Sequence, residues 1–129
     1  MERTGKPRII YIEDDADMVD LVRIMLDPAR FELIGAGDGR TGLSRMRETP
    51  PDLVLLDLML PDLGGWAIYQ VMKDDVDLCN IPVIVITAQN TPIDRVLGEH
   101  IAKVQVYITK PFTPNELRTA VNTVLGSRD

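Results

Sequence analysis

The sequence predicts an α/β fold in which five strand–helix units wrap a parallel sheet. Short apolar runs rich in β-branched residues recur along the 129 residues without internal polar alternation, as strands buried on both faces do. Between them lie segments whose apolar residues repeat at helical spacing. That alternation implies right-handed crossovers and a sheet covered on both sides.

The first run is Ile9-Ile10-Tyr11-Ile12. After it, Met18, Leu21, Val22, Met25 and Leu26 fall on one helical face, with Pro28 marking the end. Phe31 to Ala36 reads as the second strand. Gly37-Asp38-Gly39 turns into a short helix carrying Leu43 and Met46, stopped by Pro50-Pro51. Leu53 to Leu56 is the third strand, Pro61 to Gly65 a loop, and Ile68, Val71 and Met72 line the next helix. Val83 to Ile86, after Pro82, is the fourth strand. Thr91-Pro92-Ile93-Asp94 is a helix start signal, and its helix presents Ile93, Val96, Leu97, Ile101 and Val104. Val106-Tyr107-Ile108 is the last strand. Thr113-Pro114-Asn115-Glu116 opens a closing helix with Leu117, Ala120, Val121, Val124 and Leu125 inward and Gly126 at its end. For five such units the leading strand order is the doubly wound, flavodoxin-like 2-1-3-4-5.

Length and charge narrow the function. The chain matches one domain over 1–129, with 1–7 and 126–129 expected as flexible ends. Fourteen Lys and Arg against twenty Asp and Glu give a net charge of −6, which disfavours a broad nucleic-acid face. The single cysteine, Cys79, excludes an internal disulfide and suits a reducing compartment. No apolar run approaches a membrane span, and Met1 to Lys6 lacks the apolar stretch of a signal peptide, so a cytoplasmic location is expected.

In such sheets the ligand sits beyond the carboxyl ends of the strands. Here the first run leads into Glu13-Asp14-Asp15, the third ends at Asp57, the fourth at Thr87, and the fifth continues through Thr109 to Lys110. With strands one and three adjacent, Asp14 and Asp57 should face each other. Crowded carboxylates stay ionised when a cation sits between them, and hard oxygen ligands suit Mg²⁺, or Mn²⁺ in its place. Lys110 adds a fixed positive charge and Thr87 a hydroxyl, so the pocket could cradle phosphoryl oxygens with one carboxylate as nucleophile. Asp15 and Asp17 have a plainer role, complementing a helix N-terminus.

From Arg8 to Leu125 the sequence resembles the receiver domain of two-component response regulators. The resemblance rests on Ile-Glu-Asp-Asp, Leu-Asp-Leu-Met-Leu-Pro-Asp-Leu-Gly-Gly, Ile-Thr-Ala and Tyr-Ile-Thr-Lys-Pro-Phe in their order and spacing. It implies that Asp57 accepts a phosphoryl group from a histidine kinase or phosphotransfer protein. Asp14 and Asp57 would ligate Mg²⁺ directly, Met59 through its backbone carbonyl and Glu13 through water. Lys110 would pair with phosphoryl oxygens, its bond to Pro111 matching a common cis position. Thr87 and Tyr107 match the switch pair, in which the hydroxyl moves to the phosphoryl group and the ring turns inward. Ala88 is small enough for close approach, and Met59 and Gln89 occupy positions that tune phosphoryl lifetime. Lys103-Val104-Gln105-Val106 departs from the common pattern and puts the usual turn there in doubt.

The resemblance thus implies a phosphoacceptor signalling module rather than a metabolic enzyme. Phosphorylation would switch the face of the predicted fourth helix, fifth strand and closing helix for a downstream protein. Direct nucleic-acid or membrane contact is not expected, and the protein would act as a monomer or a phosphorylation-dependent dimer. A stand-alone receiver is favoured over a fragment. The alternatives are a phosphatase that forms an aspartyl-phosphate, and a receiver-like module that binds partners without phosphorylation. His100 reads as a boundary residue, Trp66 as packing on the third helix, and Arg40, Arg45 and Arg47 as a solvated face.

Overall fold

Each apolar run read as a strand forms one. The structure, a computed structural model, describes residues 5–88 and 106–126. Within them lie β1 (Arg8–Ile12), α1 (Ala16–Met25), β2 (Glu32–Ala36), α2 (Gly39–Glu48), β3 (Leu53–Leu56), α3 (Gly65–Asp74), β4 (Val83–Thr87), β5 (Val106–Thr109) and the closing helix, α4 (Pro114–Leu125). The helix expected from Thr91, together with Gln89, His100 and 103–105, falls outside the described residues. The strands are all parallel, in the order β2-β1-β3-β4-β5, so β1 and β3 are neighbours at the switch in strand order.

Side chains alternate across this sheet and divide the core in two. Ile9, Tyr11, Leu53, Leu55, Ile84 and Ile86 face α1 and α4, while Ile10, Ile12, Val54, Leu56, Val83 and Val85 face α2 and α3. Both layers are dry, which is why the strands read as unbroken apolar runs.

Two helices depart from the expected stripe at one residue each. In α1, Met18, Val22, Met25 and Leu26 pack on the core as expected and Val19 joins them, whereas Leu21 is 45% exposed. The cause is Gly35 in β2: its bare backbone admits Val19, whose Cγ1 lies 2.9 Å from where a Cβ would stand. In α3, Tyr69 is buried beside Ile68 and Met72, and Val71 is partly exposed. Tyr69 meets Trp66 edge to face with centroids 6.1 Å apart, so Trp66 does pack the third helix.

The helix starts follow their local chemistry. Asp15 caps α1, its carboxylate accepting from the N–H groups of Asp17 and Met18. Asp38 caps α2 through the Thr41 N–H. Thr113 and Glu116 form a reciprocal capping box on α4, with Pro114 in its first turn and Gly126 at φ +68° closing it.

Candidate functional site

The site forms where the ladders run one residue past the strands. The Asp57 N–H donates to the Ile12 carbonyl at 3.1 Å, the Glu13 N–H to Ala36 at 2.9 Å, and the Lys110 N–H to Thr87 at 2.9 Å. These bonds fix the first polar residue after β1, β3 and β5 at one edge of the sheet. The register Thr87↔Thr109 then sets Lys110 beside the end of β4. The Lys110–Pro111 peptide is cis, as the resemblance implied.

Asp57 is at the centre. Its Oδ1 accepts from the Thr87 hydroxyl at 2.9 Å and from the Met59 N–H at 2.8 Å, and its Oδ2 accepts from Lys110 Nζ at 2.8 Å. Lys110 Nζ also reaches Glu13 Oε1 at 2.5 Å, so one ammonium bridges two carboxylates. Asp57 is 4% exposed, Glu13 3% and Thr87 fully buried. Polar groups this dry persist because each is hydrogen-bonded.

Burial pushes the Asp57 carboxyl upward, but the hydrogen bonds from Lys110 and the Met59 N–H, with Glu13 beside it, hold it below the ordinary aspartate range. Glu13 shifts the other way: burial holds it above the usual range despite Lys110, and its nearness to Asp57 adds to the shift. Burial disfavours the charge on Lys110, yet Asp57 and Glu13 together raise it above the ordinary lysine value. The outcome is an ionised Asp57 with a fixed cation against it, the state a carboxylate nucleophile needs.

Asp14, expected to face Asp57, lies at the surface, and its carboxylate has no partner among the described residues. It lines a shallow cleft with Glu13, Asp20 and 35–37. Glu13, rather than Asp14, is drawn in against Lys110 and Asp57. Tyr107 is 8% exposed, packed inward under the α2–α3 side of the core, while Thr87 is on Asp57. Met59 is 59% exposed and meets Asp57 through its backbone N–H.

Three contributors were not singled out in the sequence. Tyr11 donates its hydroxyl to Glu13 Oε1 at 3.1 Å; the available signal was a tyrosine two positions before Glu13, hence on the same side of the chain. Gly65, read as loop and as the end of the Leu-Asp-Leu-Met-Leu-Pro-Asp-Leu-Gly-Gly stretch, sits where a Cβ would stand 2.6 Å from both the Asp57 carbonyl oxygen and the Leu58 Cα. Asp62 accepts from the N–H groups of Gly39, Arg40 and Leu63, tying the loop after β3 to the start of α2. No local sequence signal reports that last contact.

The residue types gathered here, hard oxygen donors, are those a divalent cation such as Mg²⁺ takes. Glu13, Asp14 and Asp57 place three carboxylates at one sheet edge against the single ammonium of Lys110. Among the described residues no group of three His, Cys, Asp or Glu side chains is arranged to hold a metal ion. Mg²⁺ needs no such group, because it is commonly held by one or two carboxylates and keeps several waters.

The model of the response regulator receiver domain family matches residues 9–122. The chain is 37% identical over 126 residues to the DNA-binding response regulator MtrA of Mycobacterium tuberculosis, covering 98% of this chain and 54% of that protein. It is 36% identical over 123 residues to the DNA-binding dual master transcriptional regulator RpaA of Synechocystis, covering 95% and 51%. The chain therefore spans about half the length of these curated relatives. In fold it is similar to a CheY-like response regulator receiver domain protein from Methanospirillum hungatei, with a TM-score of 0.84 over 95% of this chain and 96% of that one, at 23% identity. Strand order, sheet-edge site and sequence agree that this chain belongs to the response regulator receiver domain family.

Proposed function

We propose that Asp57 is the phosphoacceptor of this receiver domain, charged by a histidine kinase or a phosphotransfer protein. The observation that carries the reading is the buried Asp57 carboxylate, held ionised by donors from three elements: Met59 after β3, Thr87 in β4 and Lys110 after β5. An Asp57 oxygen forms the new bond to phosphorus as the bond from phosphorus to the donor nitrogen breaks, and the nitrogen keeps the electron pair. Lys110 and Thr87, now on the carboxylate oxygens, are in place to pass to the phosphoryl oxygens as charge builds there. Asp14, Asp57 and the Met59 carbonyl would hold Mg²⁺ or Mn²⁺, with Glu13 acting through water. Bound there, the ion supplies charge neutralisation for the incoming phosphoryl group.

The added charge of about −1.5 to −2 then biases the face that carries Tyr107 for a downstream partner. The inward Tyr107 and the Thr87–Asp57 bond match the arrangement the resemblance assigns to the switched form. DNA contact, of the kind named for MtrA and RpaA, is not assigned to the receiver itself, whose net charge is −6. Among the described residues no helix is long and apolar enough to cross a membrane; a cytoplasmic location is part of the proposal.

The test is incubation with acetyl phosphate, with and without Mg²⁺, followed by intact mass. Wild-type protein should gain one phosphoryl group only with the metal, and Asp57→Asn should gain none. Uptake by Asp57→Asn equal to wild type would overturn the assignment.

A further inference from the structure

The Lys110 ammonium is held from two sides, and one side depends on a residue that touches neither phosphate nor metal. Tyr11 lies in β1 with its ring fully buried among Val19, Val22, Leu117 and their neighbours. Its hydroxyl donates to Glu13 Oε1, the same oxygen that accepts from Lys110 Nζ. Glu13 Oε2 accepts from the Asp15 N–H at 3.2 Å. Both carboxylate oxygens are therefore engaged, and a flexible three-torsion side chain is confined to one arrangement.

We propose that Tyr11 is a positioning residue for the phosphoacceptor site, its hydroxyl clamping Glu13 in the arrangement that holds the Lys110 ammonium between Glu13 and Asp57. The inference rests on the phosphoacceptor reading for its consequence, though the clamp itself is a property of the resting protein. Without the hydroxyl, Glu13 Oε1 loses one of its two donors in a site whose burial already disfavours its charge. The carboxylate then holds Lys110 less firmly, and the ammonium is no longer fixed where phosphoryl oxygens arrive. A glutamate is needed for this, because a carboxylate one methylene shorter falls outside hydrogen-bond reach of the phenol.

Tyr11→Phe keeps the buried ring and removes only the oxygen. Two measurements on the full chain test it. In metal-free protein the Lys110 ammonium should give a slowly exchanging ¹⁵N–¹H signal, which Tyr11→Phe broadens; an unchanged signal overturns the clamp. In the acetyl phosphate assay with Mg²⁺, Tyr11→Phe should slow phosphoryl uptake by about fivefold or more, the scale of a slightly misplaced catalytic group. The same change in a Glu13→Asp background should alter the rate by less than about twofold, because the partner is already out of reach. Equal slowing in both backgrounds would show that the hydroxyl acts independently of Glu13, and would overturn the proposal. If wild-type protein takes no phosphoryl group while the ammonium signal still depends on Tyr11, the phosphoacceptor reading fails and the clamp stands.

Discussion

Single side chains in this protein are set by what they accept. Asp62 is the plainest case: at the surface, its carboxylate receives the Gly39 N–H at 2.9 Å, the Arg40 N–H at 3.0 Å and the Leu63 N–H at 2.7 Å. The Gly39 bond is the main cause of a carboxyl held below the ordinary aspartate range; slight burial opposes it, and the Arg40 and Leu63 bonds add to it. Because the folded value is depressed, the stabilisation is complete above the unfolded aspartate value and is lost as pH falls through the folded one. Carbon-detected NMR should therefore find Asp62 titrating below the ordinary aspartate range. An Asp62 midpoint in the ordinary aspartate range would mean the three N–H contacts do not persist in solution. Asp62→Asn should leave the protein less sensitive to acid than wild type.

At the scale of elements, the loop from β3 to α3 is where packing and chemistry constrain each other most. Gly65 opens α3 directly against Asp57 and Leu58: its N–H bonds to the Leu58 carbonyl at 3.0 Å, and an added Cβ would meet backbone atoms at 2.6 Å. Backbone cannot rotate aside as a side-chain tip can. Gly65→Ala should cost about 1–3 kcal/mol of stability by overpacking. It should also impair phosphoryl uptake, because the strain is relieved by displacing Asp57. Urea denaturation at unchanged m-value would register the first effect and the mass assay the second; a fully stable, fully active variant would contradict the close approach. Gly42 in α2 plays a similar part toward Ile12, but there the neighbour is a side chain that can give. Near the other end of the sheet edge, the capping box of Thr113 and Glu116 starts α4 immediately after the Lys110–Phe112 turn, which helps fix where Lys110 leaves β5.

For the molecule as a whole, one sheet serves two dry core layers, so neither layer keeps its partner surface if the sheet opens. Unfolding should be a single cooperative event. Trp66, packed on the α2–α3 layer, reports one side, and far-UV circular dichroism reports all the helices. The two transitions in denaturant should coincide; separated midpoints would mean the layers melt independently. The sequence carried the sheet plainly: Ile9 to Ile12, Leu53 to Leu56 and Val83 to Ile86 are apolar throughout because both faces are covered, and that same fact placed Glu13, Asp57, Thr87 and Lys110 at strand ends. Helix faces were less legible, since Leu21 and Val19 both suit a helical stripe and only Gly35 across the gap selects Val19. Linear pattern therefore determined the strands and which residues reach the site edge, through burial periods that act over a few residues, while the strand order followed from the rules for five such units. Whether Glu13 or Asp14 turns inward, what holds Glu13 there, and where Asp62 docks depended on side chains from distant segments meeting in space. Tyr11 and Lys110 are 99 residues apart in numbering yet share one Glu13 oxygen, and no local periodicity encodes a contact of that range.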